Sequence, residues 1–269
     1  MNFNVTGSGK SLYWLTCPLA INDKSAVYLL DTGGRITVTK IKIGDSPSGF
    51  TPTTVHYGSG DVVGYRHPAN FTLEKDIRIS TEVLHNVKKF PFDSEIDGIL
   101  GLLPGSNITK LQNVHSVQFD FLGNKLHFNK PFFYTPPICQ NVDHPLFPNR
   151  VWLHGDMLLK TTKAPQLWGC HDVWFMLDTG ATVSVSFFDK HFRSIDTCDT
   201  SRELHTLEII VSGQRISKYV PRDSLWPACL PHQADRISFV ILGIQFLKSL
   251  KGFHYEIWND KVQNVCLRE

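Results

Sequence analysis

The chain has 269 residues, of which 42% are hydrophobic and 19% are charged, a composition that fits a globular protein and excludes a disordered one. Its formal net charge is only +2 and it has no Lys/Arg-rich run, so no nucleic-acid partner is expected. No apolar stretch approaches the ~20 residues that a membrane-spanning helix needs, so we expect no membrane span.

Short apolar, β-branched and aromatic runs alternate with turn clusters such as GDSPSG and WNDK along the chain. This pattern predicts an all-β protein, because long helical periodicity is scarce. The clearest predicted strands are Ser25–Leu30, Gly34–Ile43, Trp174–Leu177 and Arg236–Leu242. Short helices are predicted at Lys110–Val114 and Phe187–Phe192.

An internal repeat organises these elements. The first half contains VYLLDTGG at 27–34 and DGILGLL at 97–103, and the second contains VWFMLDTGA at 173–181 and SFVILGIQF at 238–246. Ile99 follows Asp31 by 68 residues, and Ile241 follows Asp178 by 63. A shared order and spacing indicates a duplicated unit, so we expect two lobes related by a pseudo-twofold axis.

The boundary between the lobes is predicted in the segment 129–150, which is rich in proline and aromatic residues. The predicted division is an N-terminal lobe at 1–135, a linker at 136–150 and a C-terminal lobe at 151–269.

Each Asp-Thr-Gly motif directs a carboxylate out of an apolar strand, and such a group needs hydrogen bonds or a partner. Glycine permits a tight turn that aims N–H groups at the carboxylate, and the threonine hydroxyl can bond across to the other half. Two such loops at a twofold axis would bring the carboxyl groups to about 3 Å, where they share one proton. The residues assigned to this site are Asp31, Thr32, Gly33 and Gly34 in the first copy and Asp178, Thr179, Gly180 and Ala181 in the second.

One carboxylate of such a pair can act as general base on a water while the other donates a hydrogen bond to a carbonyl oxygen. This chemistry hydrolyses an amide bond without a covalent intermediate. A single Asp-Thr-Gly tripeptide would be weak support for it. Two copies, each after an apolar strand and each followed by Ile-Leu-Gly, make Asp31 and Asp178 the predicted catalytic residues.

These motifs resemble those of the pepsin family of aspartic proteases, in the family's order and from about Leu12 to Leu267. The matching segments are VYLLDTGG, YGSGDVVG, DGILGLL, WFMLDTGA, VILGIQFL and EIWNDKV. The resemblance implies a bilobed β fold, a peptide or protein substrate in an interlobe cleft, inhibition by pepstatin-type compounds, a monomer and no cofactor. It also implies a disulfide between Cys198 and Cys229.

The segment from His56 to Asp61, closed by Gly64, predicts a β-hairpin with a glycine-rich tip. In the family a hairpin of this kind covers the substrate, so the resemblance assigns a flap to about 53–66. Its expected contact residues are Tyr57, Gly58 and Ser59. Glycines would let the tip move and approach a peptide backbone.

The chain departs from the family at several positions. Gly34 and Ala181 stand where most members carry Ser or Thr, and hydrogen bonds to an ionised carboxylate favour its ionised form. We therefore expect a less acidic pair and activity at mildly acidic to near-neutral pH. Tyr57 follows Asp31 by only 26 residues, which predicts trimmed loops. The tryptophan that usually supports the flap tyrosine is not visible in 36–44.

These departures keep a second function class open, a catalytically silent pepsin-fold binding or inhibitor protein. The retention of both aspartates argues against it. A third possibility is a specialised processing protease with few substrates. The histidines are scattered and do not pair with carboxylates at helical spacing, so no metal site is predicted.

Six cysteines and three Asn-x-Ser/Thr sequons, at Asn4, Asn70 and Asn107, favour a secreted or lumenal glycoprotein. The even number of cysteines permits three disulfides, whose connectivity the sequence leaves open. The first ten residues, MNFNVTGSGK, lack the apolar core of a signal peptide. A cytoplasmic or viral origin therefore stays open beside the secretory one.

Overall fold

The computed structural model describes residues 1–8, 12–45, 48–49, 51–57, 60–74, 77–86, 88, 90–92, 95–106, 108–109, 113–131, 138–144, 147–161, 168–181, 185–188, 204–221, 225–227 and 239–269. Strands dominate these ranges, which confirms the predicted all-β class. A one-turn helix covers Ile244–Leu247. Within the described ranges, no helix combines the length and apolar character needed to cross a bilayer.

The strands have the bounds β1 Asn4–Ser8, β2 Leu12–Ile21, β3 Lys24–Asp31, β4 Val38–Thr39, β5 Thr53–Tyr57, β6 Gly60–Glu74, β7 Ile77–Asn86, β8 Gly98–Gly101, β9 Ser116–Asp120, β10 Lys125–Phe128, β11 Ile138–Asn141, β12 Trp152–Thr161, β13 Trp168–Asp178, β14 Val185–Phe188, β15 Leu204–Val211, β16 Gln214–Pro221, β17 Leu225–Pro227, β18 Phe239–Gly243, β19 Gly252–Trp258 and β20 Lys261–Arg268.

Three sheets contain these strands. The first has eight strands in the order β1-β2-β3-β8-β4-β7-β6-β5, all from the first half of the chain. The second has seven strands from the second half, in the order β16-β15-β12-β13-β18-β14-β17. The third has five strands in the order β10-β9-β19-β20-β11, so it joins strands from both halves.

The two strands that end in an aspartate have equivalent surroundings. Strand β3 pairs in parallel with β8, which places Asp31 opposite Gly101. Strand β13 pairs in parallel with β18, which places Asp178 opposite Gly243. On the far side of each Ile-Leu-Gly strand runs an antiparallel partner, β4 beside β8 and β14 beside β18. The repeat in the sequence therefore has a counterpart in the strand pairing.

Two local predictions were wrong in part. The run Gly34–Ile43 was predicted as a strand, but only Val38–Thr39 pairs within it. The predicted helix at Phe187–Phe192 begins inside β14, where Phe187 and Phe188 pair with Val240 and Phe239 of β18. Strand β18 pairs with β13 on one edge and with β14 on the other, and this pairing outweighs the helical pattern.

Buried apolar side chains of all three sheets form one continuous core, which includes Leu30, Phe119, Leu177 and Phe253. A smaller cluster lies beside β3 and β8. Its buried members are Leu29, Val38, Val62, Leu84, Ile96 and Ile99. Because apolar residues enclose the two aspartate-bearing strands, their ends are held in fixed positions.

The structure shows a disulfide whose pairing the sequence left open. A disulfide joins Cys139 on β11 to Cys266 on β20, two residues directly opposite each other in the five-stranded sheet. The pairing implied for Cys198 and Cys229 lies outside the described residues. Cys17 is a free, buried thiol, and burial raises its pKa to about 12, so it is neutral at physiological pH.

Candidate active site

Asp31 and Asp178 occupy the last positions of β3 and β13. The preceding residues Leu30 and Leu177 are fully buried, so each strand is fixed in the core up to the aspartate. The side chain of Asp31 is 5% exposed, whereas Asp178 is half-buried. Both carboxyl groups therefore lie at the edge of the apolar interior, where an isolated charge is costly.

Four reciprocal hydrogen bonds lock the two Asp-Thr-Gly loops together. The Thr32 N–H donates to Thr179 Oγ1 at 3.0 Å, and the Thr179 N–H donates to Thr32 Oγ1 at 3.0 Å. The Thr32 hydroxyl donates to the Leu177 carbonyl at 2.8 Å, and the Thr179 hydroxyl donates to the Leu30 carbonyl at 2.7 Å. Both threonines are buried, so each bond is shielded from water and the loops are held face to face.

The glycine of each loop serves both carboxyl groups. The Gly33 N–H donates to Asp31 Oδ1 at 2.7 Å, and the Gly180 N–H donates to Asp178 Oδ1 at 2.9 Å. A Cβ placed on Gly33 would lie 2.5 Å from Asp178 Oδ2, and one on Gly180 would lie 2.6 Å from Asp31 Oδ1. Each glycine thus packs against the carboxyl group of the other loop, which only a residue without a side chain permits.

The two carboxyl groups form a coupled acid pair. Burial, followed by the charge of Asp178, raises the pKa of Asp31, and the Gly33 N–H opposes this rise. Burial also raises the pKa of Asp178, against the N–H groups of Gly180 and Ala181 and the charge of Arg150. The two side chains are close enough for a protonated carboxyl group of one to donate a hydrogen bond to the other. Two like charges in this position repel each other, and a proton shared between the two carboxyl groups relieves this repulsion.

Gly34 and Ala181 lie directly beside the carboxyl groups. A Cβ on Gly34 would meet Asp31 Oδ2, so the first loop has no room for a side chain at this position. The second loop accommodates Ala181, whose N–H also donates to the Asp178 carbonyl at 3.2 Å. Neither residue offers a hydroxyl donor, so the carboxyl groups rely on backbone N–H groups.

A hairpin of β5 and β6 extends towards the pair. Tyr57 lies opposite Gly60 at its end, and the charge of Asp31 contributes, after burial, to a raised pKa of Tyr57. Across the hairpin, His56 Nδ1 and Asp61 Oδ1 are 2.7 Å apart. Gly58 and Ser59, the other two expected contact residues, lie outside the described residues.

An aromatic cluster supports Tyr57. Its ring contacts Phe92 edge-on with centroids 5.4 Å apart, and Phe92 also contacts Phe90 at 5.1 Å. Trp14 contacts Phe92 at 6.4 Å, likewise edge-on. The sequence left the support of the hairpin tyrosine open because 36–44 contains no tryptophan. In the structure Phe92 contacts Tyr57 directly and Trp14 supports Phe92 from β2.

Arg150 belongs to the candidate site although no sequence motif indicates it. Its Nη1 donates to the Gly33 carbonyl at 2.8 Å and lies 3.7 Å from Met176 Sδ. Its charge lowers the pKa of both Asp31 and Asp178. No local pattern signals this contact, since Arg150 and Gly33 are 117 positions apart in the chain.

The described residues include no group of three or more His, Cys, Asp or Glu side chains arranged to hold a metal ion. The arrangement around Asp31 and Asp178 can instead bind and polarise a water between two carboxyl groups that share a proton. No protein-family model matches this chain, and no curated protein matches it.

Proposed function

We propose that this chain is an aspartic endopeptidase that hydrolyses peptide bonds with a water activated between Asp31 and Asp178. The observation that carries the proposal is the reciprocal bonding of Thr32 and Thr179, which holds the carboxyl groups of Asp31 and Asp178 next to each other at the edge of the apolar core. A purely structural role would gain nothing from this arrangement, because burying two acids together costs stability.

The proposed reaction begins with the pair in its singly protonated state. The ionised carboxylate takes a proton from the water as its oxygen attacks the peptide carbonyl carbon. The protonated carboxyl group gives its proton to the carbonyl oxygen, and the result is a neutral tetrahedral diol. The carboxyl group protonated by the water then gives this proton to the amide nitrogen, while the other, now ionised, carboxylate takes a proton from one diol hydroxyl. The C–N bond breaks, an amine and a carboxylic acid are released, and the pair returns to its starting state.

The proposal includes a bilobed pepsin-like fold with lobes at 1–135 and 151–269 and a linker at 136–150. Its support is the equivalent pairing of β3 with β8 and of β13 with β18, which places one aspartate in each half. Strand β11, within this linker, pairs with β20 and is tied to it by the disulfide.

The substrate would be an extended peptide or protein segment lying between the acid pair and the β5–β6 hairpin, the proposed flap. An extended chain can use its backbone N–H and C=O groups for binding while pockets select alternate side chains. The cluster of Tyr57, Phe90 and Phe92 offers an apolar wall on this side. It favours bulky apolar side chains next to the cleaved bond.

Burial raises the pKa of both carboxyl groups, and neither Gly34 nor Ala181 supplies a hydroxyl that would lower it. The singly protonated state should therefore persist into the mildly acidic to near-neutral range. A pH–rate profile that peaks below about pH 3 would contradict this expectation. Secretion, use of the sequons at Asn4, Asn70 and Asn107, and a monomeric state remain parts of the proposal, and Asn107 lies outside the described residues.

The alternative is a catalytically silent binding or inhibitor protein that keeps the acid pair only for its structure. Gly34 and Ala181 favour it, because both withhold donors from the carboxyl groups. Such a protein would bind peptides without cleaving them. Turnover therefore separates the two functions.

The deciding experiment is cleavage of denatured casein from pH 3 to 7, with and without pepstatin. Asp31→Asn and Asp178→Asn should each lower the rate by about 10²–10⁴-fold, the usual contribution of general acid–base catalysis. The control is Asp23→Asn, because Asp23 is exposed and lies in a left-handed turn (φ 62°) that asparagine tolerates.

Cleavage by Asp31→Asn at the rate of the wild type would sink the proposal. An inert wild type that does not bind pepstatin would favour the binding-protein alternative. Pepstatin binding without casein cleavage would point to an intact site with narrow substrate selectivity. Thermal unfolding of each variant checks that lost cleavage does not reflect lost folding.

A further inference from the structure

Arg150 is anchored next to one aspartate-bearing strand and reaches the loop of the other. The backbone around it is fixed, since the Arg150 N–H donates to the Phe147 carbonyl at 3.3 Å and the Val151 carbonyl accepts the Leu177 N–H at 2.9 Å. From this position beside β13 its guanidinium crosses to Gly33. A single side chain thus connects the surroundings of Asp178 with the loop of Asp31.

The Gly33 residue is bonded on both of its polar groups. Its carbonyl accepts Arg150 Nη1 at 2.8 Å, and its N–H donates to Asp31 Oδ1 at 2.7 Å. A charged donor on the carbonyl fixes the orientation of this part of the loop and polarises the chain of bonds. The direction of the N–H that faces Asp31 therefore depends on Arg150.

Arg150 differs from the other groups around the acid pair because it is positively charged. Within the part of the chain that the structure describes, Tyr57 from the hairpin and Tyr255 from β19 also interact with Asp31, and burial raises the pKa of both, so they stay neutral. Among the described residues, Arg150 is the cation that acts on both carboxyl groups. A pair that shares one proton carries one negative charge, which a nearby guanidinium offsets.

We propose that Arg150 is a positioning residue of the candidate catalytic site, which fixes the Gly33 peptide and offsets the negative charge of the acid pair. Positions 34 and 181 are glycine and alanine, which have no side-chain hydrogen-bond donor. The fixed cation of Arg150 stabilises the ionised carboxylate in place of such donors. The catalytic part of this inference rests on the proposed function. The electrostatic part concerns the ionisation of the pair and can be measured without turnover.

Three substitutions separate the charge from the hydrogen bond. Arg150→Lys keeps the charge, Arg150→Gln keeps an N–H donor without charge, and Arg150→Met keeps neither. If the charge matters, both limbs of the pH–rate profile move upward by about one pH unit in the Gln and Met variants, because an opposite charge lowers a carboxyl pKa. The Lys variant should stay close to the wild type.

Arg35→Gln is the matched control. Arg35 also follows an Asp-Thr-Gly loop and donates through Nε to a backbone carbonyl, that of Pro104, at 3.0 Å. Its charge is not among those that shift the pKa of Asp31 or Asp178. It should therefore leave the pH–rate profile in place. A profile unchanged in Arg150→Gln as well would overturn the proposal and leave the proposed function intact.

Thermal unfolding from pH 4 to 8 tests the electrostatic effect of Arg150 on the acid pair, and this test does not require the protein to cleave a substrate. The raised carboxyl pKa values mean that the folded state binds more protons than the unfolded state above about pH 4, so stability falls as pH rises. Without the cation this fall should be steeper in Arg150→Gln than in the wild type. The difference should vanish when Asp31→Asn and Asp178→Asn are also present.

A steeper fall that disappears without the two acids supports the proposal even if casein is never cleaved. An equal loss of stability at every pH would show that Arg150 contributes only a structural hydrogen bond, and the proposal would be wrong. Failure of the inference and failure of the proposed function therefore give different results.

Discussion

The two Asp-Thr-Gly loops have the same sequence and the same internal bonds but different neighbours. In both, a threonine N–H donates to the opposite threonine hydroxyl at 3.0 Å, and a glycine N–H donates to the aspartate of its own loop. The loop of Asp31, however, also receives Arg150 on its Gly33 carbonyl and lies near Tyr57 and Tyr255. The loop of Asp178 has no such bond to Gly180 among the described residues.

The candidate site thus combines residues of two origins. The common part comes from the repeated strand, loop and Ile-Leu-Gly unit, which each half builds by itself. The different part comes from elements that occur once, namely the β5–β6 hairpin, the five-stranded sheet and the segment that carries Arg150. Two chemically identical carboxyl groups can thereby acquire different surroundings, which a proton-sharing pair needs if its members are to act as base and acid.

The largest effect should come from removing the symmetric bonds. Thr32→Val keeps the shape of the side chain but leaves the Thr179 N–H and the Leu177 carbonyl without their partner. Each buried group left unsatisfied costs about 1–3 kcal/mol, so we expect a loss of about 3 kcal/mol. Thr179→Val should cost a similar amount, because its bonds are equivalent.

Urea unfolding measures these losses, with Thr32→Ser as the control that keeps the hydroxyl. The double valine variant should lose less than the sum of the single losses, since the two residues share bonds. Strict additivity, or a Thr32→Val loss below that of Thr32→Ser, would show that the reciprocal bonds do not hold the loops together.

The second largest loss of stability should come from a substitution at the fourth position of the first loop, Gly34. Gly34→Ala places a methyl group against Asp31 Oδ2, so either the loop or the carboxyl group must move. We expect a loss of about 2 kcal/mol, in the range found for overpacked sites, and reduced cleavage. The reverse exchange, Ala181→Gly, should cost no more than about 1 kcal/mol, the usual entropic cost of glycine.

Thermal unfolding and casein cleavage of this pair of variants measure the asymmetry. Equal losses in Gly34→Ala and Ala181→Gly would contradict the difference in space around the two loops.

The common part of the site could be predicted from the sequence, whereas the different part could not. The apolar runs before Asp31 and Asp178 and the Ile-Leu-Gly motifs are local patterns, and strand pairing follows from them. Gly34 was interpreted only as a missing hydroxyl, because a sequence does not show how closely the carboxyl group of Asp31 packs against it.

Long-range contacts account for what the sequence did not reveal. Arg150 meets Gly33 across 117 positions, and Trp14 and Phe92 support Tyr57 from distant segments. Phe187 and Phe188 of β14 are predicted as helical because their partners in β18, Val240 and Phe239, lie 53 and 51 positions away and leave no local signal. The aromatic residues of KFPFD, just before DGILG, were the available hint for the hairpin support.

The smallest expected effect concerns the ionisation of the two carboxyl groups. The pKa of Asp31 is raised in the folded protein, first by burial and then by Asp178, above its value near 4 in the unfolded chain. The folded state therefore retains a proton that the unfolded state releases above about pH 4. The stabilising effect of this proton is complete below pH 4 and is lost as pH rises through the folded pKa.

Asp31→Asn removes this titration and leaves an uncharged side chain of nearly the same shape. Relative to its effect at pH 4, the substitution should raise stability at pH 7 to 8 by about 1–2 kcal/mol, since each pKa unit is worth about 1.4 kcal/mol. Unfolding in urea at pH 4, 6 and 8 measures the trend, with Asp23→Asn as the exposed control. A gain that is largest at pH 4 would have the wrong sign for a buried, proton-sharing carboxyl group. The increase in the free energy of unfolding between pH 4 and pH 8, relative to the wild type, can be compared between Asp31→Asn and Asp178→Asn. A larger increase in Asp31→Asn would mean that Asp31, the more deeply buried of the two, holds the shared proton.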